Sequence, residues 1–126
     1  MPSDQDHMLR ALDLARTAAT LGEVPVGAVI TRDNEIIAEA HNRRETDKTP
    51  FAHAEFLAIQ QACAAINDWR LERCTLYITL EPCPMCAGLI VNARVPRVVF
   101  AASDPKAGAA GTLMNLLEDP RLNHRC

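Results

Sequence analysis

The stretch Cys74-Thr75-Leu76-Tyr77-Ile78-Thr79-Leu80-Glu81-Pro82-Cys83-Pro84-Met85-Cys86 decides the fold. Residues 74–80 read as a strand, and residues 82–91 read as a helix opened by proline, where the missing N–H does no harm. Residues 97–101 return as another strand. Such a strand–helix–strand unit crosses over right-handedly and pairs its strands in parallel. Upstream, residues 52–66 read as a helix with Leu57, Ala58, Ala62 and Ala65 on its buried side. A polar loop over 42–51 precedes it. Before that loop, the apolar run 24–31, the turn Arg32-Asp33-Asn34-Glu35 and residues 36–41 form a hairpin. Residues 8–21 carry apolar positions at helical spacing, with Ser3 and Asp6 as a capping start and Gly22 as a stop. Downstream, a short helix is expected over 112–117, then a polar tail. The order implies a three-layer α/β domain.

A chain of 126 residues makes one domain with a single real core. Apolar residues at 48% and charged residues at 23% exclude disordered and collagen-like classes. The net charge of −3 provides no global basic field, so a polynucleotide partner would need a local basic patch. Only 4% of residues are aromatic, which argues against a stacking platform for long single strands. No apolar run is long enough to cross a membrane. The acidic start Met1-Pro2-Ser3-Asp4-Gln5-Asp6 lacks the features of a signal peptide, so a reduced, cytoplasmic setting is expected. The five cysteines are an odd count, and only Cys83 and Cys86 form a close pair. In a reducing compartment that pair suggests metal or redox chemistry before a disulfide framework.

Two motifs carry the chemistry: His53-Ala54-Glu55 at one helix start and Pro82-Cys83-Pro84-Met85-Cys86 at the next. Cys83 and Cys86 are spaced so that one helical turn points both thiols the same way. His53 and Glu55 would diverge in mid-helix and converge only on a point off the helix N-terminus. Both motifs therefore aim at one place beyond the carboxyl end of the 74–80 strand, where open α/β sheets bind ligands. His53, Cys83 and Cys86 suit zinc, and three protein ligands leave a fourth position for water, as catalytic sites do. Two thiolates cancel the ion's charge and weaken its hold on the water proton, so a carboxylate base is needed beside it; Glu55 fits. Taken singly, Cys-x-x-Cys also reads as a structural zinc corner or a redox pair, and His-x-Glu carries little. The ordered combination at two helix starts favours catalytic zinc.

These residues resemble the cytidine deaminase superfamily, and within it the bacterial tRNA-specific adenosine deaminases. The resemblance runs through Glu23-Val24-Pro25-Val26-Gly27-Ala28-Val29, Ala52-His53-Ala54-Glu55 and Thr75 to Cys83. It continues through Met85-Cys86-Ala87-Gly88, Arg97-Val98-Val99-Phe100, the segment Asp104 to Leu113, and Asn123-His124-Arg125. The zinc motif marks the superfamily, and Asp104-Pro105-Lys106-Ala107-Gly108-Ala109-Ala110-Gly111 points to the tRNA branch. It implies a three-layer cytidine-deaminase-like fold with a central mixed sheet flanked by helices. It also implies one Zn2+ per chain on His53, Cys83 and Cys86, with Glu55 moving protons from the zinc water to the base and the departing amine. Water would attack carbon 6 of adenine in a base splayed from the tRNA anticodon loop, giving inosine and ammonia. Asn42 and the Ala54 backbone would contact the nucleoside, and Val24, Pro25 and Val26 would wall the pocket. Asp104 and Lys106 would touch neighbouring nucleotides, Asp104 through a ribose 2′-OH. The family is homodimeric. Phe51 stands where a small residue is usual, and Ser103 where a basic one is common. Family members continue beyond Asn-His-Arg with a further strand and a long helix, which this sequence lacks; the expectation is an exposed sheet edge.

Plainer readings stand beside these. Asn42 and Asp104-Pro105 are ordinary turn residues, and Arg43, Arg44, Lys48 and Lys106 are ordinary surface. Trp69 reads as a loop anchor packing under the sheet. The rival enzyme is a deaminase of a free nucleobase or nucleoside, of guanine or cytosine type. The rival outside catalysis is a zinc-stabilised binding module, for which an unligated acid beside the metal has no use.

Overall fold

Ser3 opens the first helix with a reciprocal cap: its hydroxyl accepts from the Asp6 N–H at 3.2 Å, and the Asp6 carboxylate accepts from the Ser3 N–H at 2.9 Å. The helix, α1 (Asp4–Thr20), buries His7, Ala11, Ala15 and Ala18 along one stripe. These are mostly small side chains, so α1 lies close on the sheet. The structure is a computed structural model that describes residues 1–122 and 124–126; Asn123 of the Asn123-His124-Arg125 stretch lies outside the described residues.

The remaining elements are β1 (Gly27–Arg32), β2 (Glu35–His41), α2 (Arg44–Asp47), α3 (Ala54–Ile66), β3 (Cys74–Leu80), α4 (Pro84–Asn92) and β4 (Arg97–Ala102). The sheet order is β2-β1-β3-β4. β1 pairs antiparallel with β2 and β3, and β3 pairs parallel with β4, as the crossover through α4 requires. Asp33 and Asn34 both take positive φ, the geometry of a tight hairpin turn whose twist matches its strands. Side chains alternate across the sheet. Val29, Tyr77 and Val99 pack with Ala11 of α1. Ala28, Ile30, Leu76 and Ile78 pack on the other face with Ala58 and Ala62 of α3 and Ala87 and Ile90 of α4. This is the three-layer, mixed-sheet architecture expected.

Four details differ from expectation. The strand expected from residue 24 begins at Gly27. The Val26 N–H donates to the Val24 carbonyl at 2.8 Å, a tight turn that takes residues 24–26 off the ladder, where Pro25 has no N–H to offer. The loop over 42–51 contains the single-turn helix α2. The helix expected over 112–117 is absent: that segment is turns and one bridge, Ala110 to Asn115. The Thr112 amide donates to the Glu81 carboxylate and those of Leu113 and Leu116 donate back to Gly108 and Ala109, so they are spent on tertiary contacts. Trp69 is 56% exposed and lies against Arg70 and Arg94 on the surface, not under the sheet.

Candidate active site

The helices expected from residues 52 and 82 start two residues later, which makes His53 and Cys83 the N-cap residues of α3 and α4. Both have extended backbones, with φ, ψ of −79°, 151° and −75°, 172°. Their carbonyls open the helices, accepting from Leu57 at 3.0 Å and Ala87 at 2.8 Å. Neither side chain makes a capping bond, so both are free to point off the helix ends. Cys86 follows in the first turn of α4, fully buried. The two helix starts thus meet beyond the carboxyl end of β3.

One ligand atom each from His53, Cys83 and Cys86 lies within 4.8 Å of the others. The Cys83 and Cys86 Sγ atoms stand 3.7 and 3.5 Å from His53 Nδ1. A tetrahedral ion with the bond lengths usual for zinc would set sulfur and nitrogen about 3.6 Å apart. The donor set, an imidazole and two thiols, and its spacing therefore fit one zinc-like cation. The sulfurs are coupled: the Cys86 thiol donates towards Cys83, which lowers Cys83 to about 5, while the same bond and burial push Cys86 up. A cation bound there replaces that proton.

Glu55, in the first turn of α3, is 5% exposed and stands outside the three-donor cluster. Burial raises its pKa to about 7. A cation on the neighbouring donors lowers it again. In the metal-free chain the carboxyl thus changes protonation state near neutrality.

His53, Glu55 and Cys83 open onto a cavity of about 240 Å³. Asn42, Ala54, Val24, Val26 and Asp104 line it with His53, Glu55 and Cys83. Pro25 and Lys106 are exposed and are not part of the lining. Asn42 is buried, and its Oδ1 accepts from the Arg44 N–H at 3.2 Å. Asp104 Oδ1 accepts from the Lys106 and Ala107 amides at 2.9 and 3.3 Å, which leaves Oδ2 for a ligand. Phe51 stacks on Phe56 at 5.3 Å between ring centres. Sequence reasoning missed Arg44 and Glu81, both in the lining. Glu81 is 2% exposed, and hydrogen bonds from Thr112 and from backbone amides hold its pKa down to about 2. Its one sequence signal is its place directly before Pro82-Cys83.

A family model described as MafB19-like deaminase matches residues 2–126. The chain is 56% identical over 125 residues to the tRNA-specific adenosine deaminase of Bacillus subtilis (strain 168), covering 99% of this chain and 78% of the relative. It is 50% identical to that of Aquifex aeolicus (strain VF5), covering 91% and 76%. A solved structure from a study of A-to-I editing by tRNA:A34 deaminases at the wobble position of transfer RNA superposes with a TM-score of 0.91 at 41% identity, covering 95% of this chain and 87% of that one. The guanine deaminase of Bacillus subtilis superposes with a TM-score of 0.81, also at 41% identity, covering 88% and 71%. The chain belongs to the MafB19-like deaminase family and stands among its tRNA-specific adenosine deaminases.

Proposed function

We infer that this protein is a zinc-dependent hydrolase that converts adenosine to inosine at the wobble position of tRNA and releases ammonia, acting in the cytoplasm as a homodimer. The observation that carries the chemistry is the buried Glu55 carboxyl beside a three-donor cluster at a base-sized cavity. Relatives named for this reaction, at 56% and 50% identity, support the choice of substrate.

A zinc ion held by His53, Cys83 and Cys86 would supply the Lewis acidity that makes water nucleophilic at neutral pH. Glu55 accepts a proton from the attacking water and passes it to the adenine ring. It then takes the second water proton to the amine on carbon 6, which leaves as ammonia. Asn42 and the Ala54 backbone orient the nucleoside, with Val24 and Val26 against the base and Pro25 fixing the turn between them. Asp104 Oδ2 takes the ribose hydroxyl of a neighbouring nucleotide. Arg44 in the cavity lining and the exposed Lys106 offer positive charge to the phosphates of the loop, a local answer to the net charge of −3. The cavity is smaller than the ~300–1,000 Å³ of drug-sized sites, so it takes one splayed base.

A deaminase of free guanine is the second reading, favoured by the 41% identity to the solved guanine deaminase and by the acidic charge. Inosine formation and ammonia release from an anticodon stem–loop carrying adenosine at the wobble position, set against free guanine, cytosine and adenosine, separate the two. Turnover of the stem–loop is expected; turnover of free guanine alone overturns the tRNA reading.

A further inference from the structure

Two buried carboxylates that the chemistry leaves unused lie under the two lips of the cavity. Glu81 receives four bonds from one lip, residues 104–112. Its Oε1 accepts from the Asp104 amide at 3.1 Å and from the Thr112 hydroxyl, and its Oε2 from the Ala110 and Thr112 amides at 2.9 and 3.1 Å. Glu23, 5% exposed, does the same for the other lip. Its Oε1 accepts from the Glu45 amide at 3.1 Å, and its Oε2 from the Thr46 amide and hydroxyl, both at 2.6 Å. One lip carries Asp104 and Ala107, and the other carries Asn42 and Arg44. Gly108 completes the first arrangement, because a Cβ there would come within 2.5 Å of the Glu81 carboxyl carbon.

We propose that Glu23 and Glu81 are positioning residues that set the shape of the cavity mouth, each serving as an all-acceptor anchor for one lip. This rests on the reading above that the lips hold the target nucleoside and its neighbours. Every oxygen of the two carboxyls faces at least one backbone N–H. A glutamine of the same shape would turn its NH2 onto one of those donors in either amide orientation, leaving a buried N–H without an acceptor. The packing volume stays, but the lip moves. A shift on the order of 1 Å is enough to break the contacts that a lip makes to a bound nucleoside. The lips bind the substrate away from Glu55, so the loss falls on KM more than on kcat.

The test is steady-state kinetics of E81Q and E23Q on the anticodon stem–loop, with metal content and thermal midpoint measured on the same preparations. T112V and T46V each remove a single side-chain bond to the same carboxylates. Both Gln variants should raise KM about tenfold or more with a smaller fall in kcat. Metal content and the pH profile of kcat should match the wild type, and the Val variants should shift KM the same way by less. Unchanged KM with only a lower thermal midpoint overturns the proposal, as does activity lost in step with metal. If the Gln variants fail to fold, the Val variants decide by the same KM criterion. A wild type inactive on the stem–loop contradicts the functional reading instead, and the comparison is then made on whichever base or nucleoside it does deaminate.

Discussion

Glu55 and His53 serve one point although they are two residues apart, because His53 stands before α3 as its N-cap and Glu55 lies in its first turn. The roles assigned to them separate on mutation. Glu55→Ala should keep fold and metal content and lower kcat by about 10²–10⁴-fold, the usual worth of a positioned acid–base group. An unchanged rate in that variant removes the proton-transfer role. Cys83→Ala should lower metal content together with activity, read by elemental analysis of the purified protein; a fully metallated variant contradicts the donor set. This cluster was legible in the sequence because its residues act through local spacing at helix starts. Glu23 and Glu81 were not, since a carboxylate that anchors backbone amides looks in sequence like one in water. The fold alone shows Glu81 turned inward, 2% exposed, with Gly108 packed against its carboxyl group.

At the scale of elements, α1 is held close on the sheet. A Cβ at Gly27 would lie 2.0 Å from the Ala11 carbonyl and 2.7 Å from the Ala15 nitrogen, so β1 passes under α1 only without a side chain. The Gly27 amide also donates to the Thr79 hydroxyl at 3.1 Å, tying β1 to β3 just ahead of the cysteine motif. Gly27→Ala should therefore destabilise by about 1–3 kcal/mol, as overpacking does, and lower the denaturant midpoint. A midpoint equal to wild type shows that α1 can move aside. Hairpin, crossover and helices were legible from periodicity and turn residues. The misread segments differ in cause: 24–26 leaves the ladder through a local turn bond from Val26 to Val24, whereas the amides of Thr112, Leu113 and Leu116 bond to Glu81, Gly108 and Ala109, acceptors that no helical spacing encodes.

Across the whole molecule, the first residues of α1 tie the outer layer to the sheet. Asp4 accepts from Arg97 of β4 at 2.8 Å and from the Tyr77 hydroxyl of β3 at 2.6 Å, and the Arg97 guanidinium holds its carboxyl well below the usual 3.8. A carboxylate lowered in the folded state adds stability that is complete above its ordinary value and is lost as pH falls below it. Wild type should therefore be more stable than Asp4→Asn at pH 6, and the gap should begin to narrow as pH falls below about 3.8, closing only below the lowered folded-state value. Because the pair is half exposed, the gap is modest and shrinks in salt. A gap equally large at pH 6 and at the lowest pH where both proteins stay folded contradicts the ion pair as its source. For RNA, Lys106→Ala should weaken stem–loop binding and flatten its salt dependence, by titration at several salt concentrations; no change in either returns Lys106 to plain surface. All of this serves a single chemical centre, which zinc-edge X-ray absorption on the purified holoprotein probes most directly. The account predicts two sulfurs at about 2.3 Å, one imidazole nitrogen at about 2.0–2.1 Å and one light, exchangeable oxygen. Four protein ligands, or no ion retained at all, would contradict it.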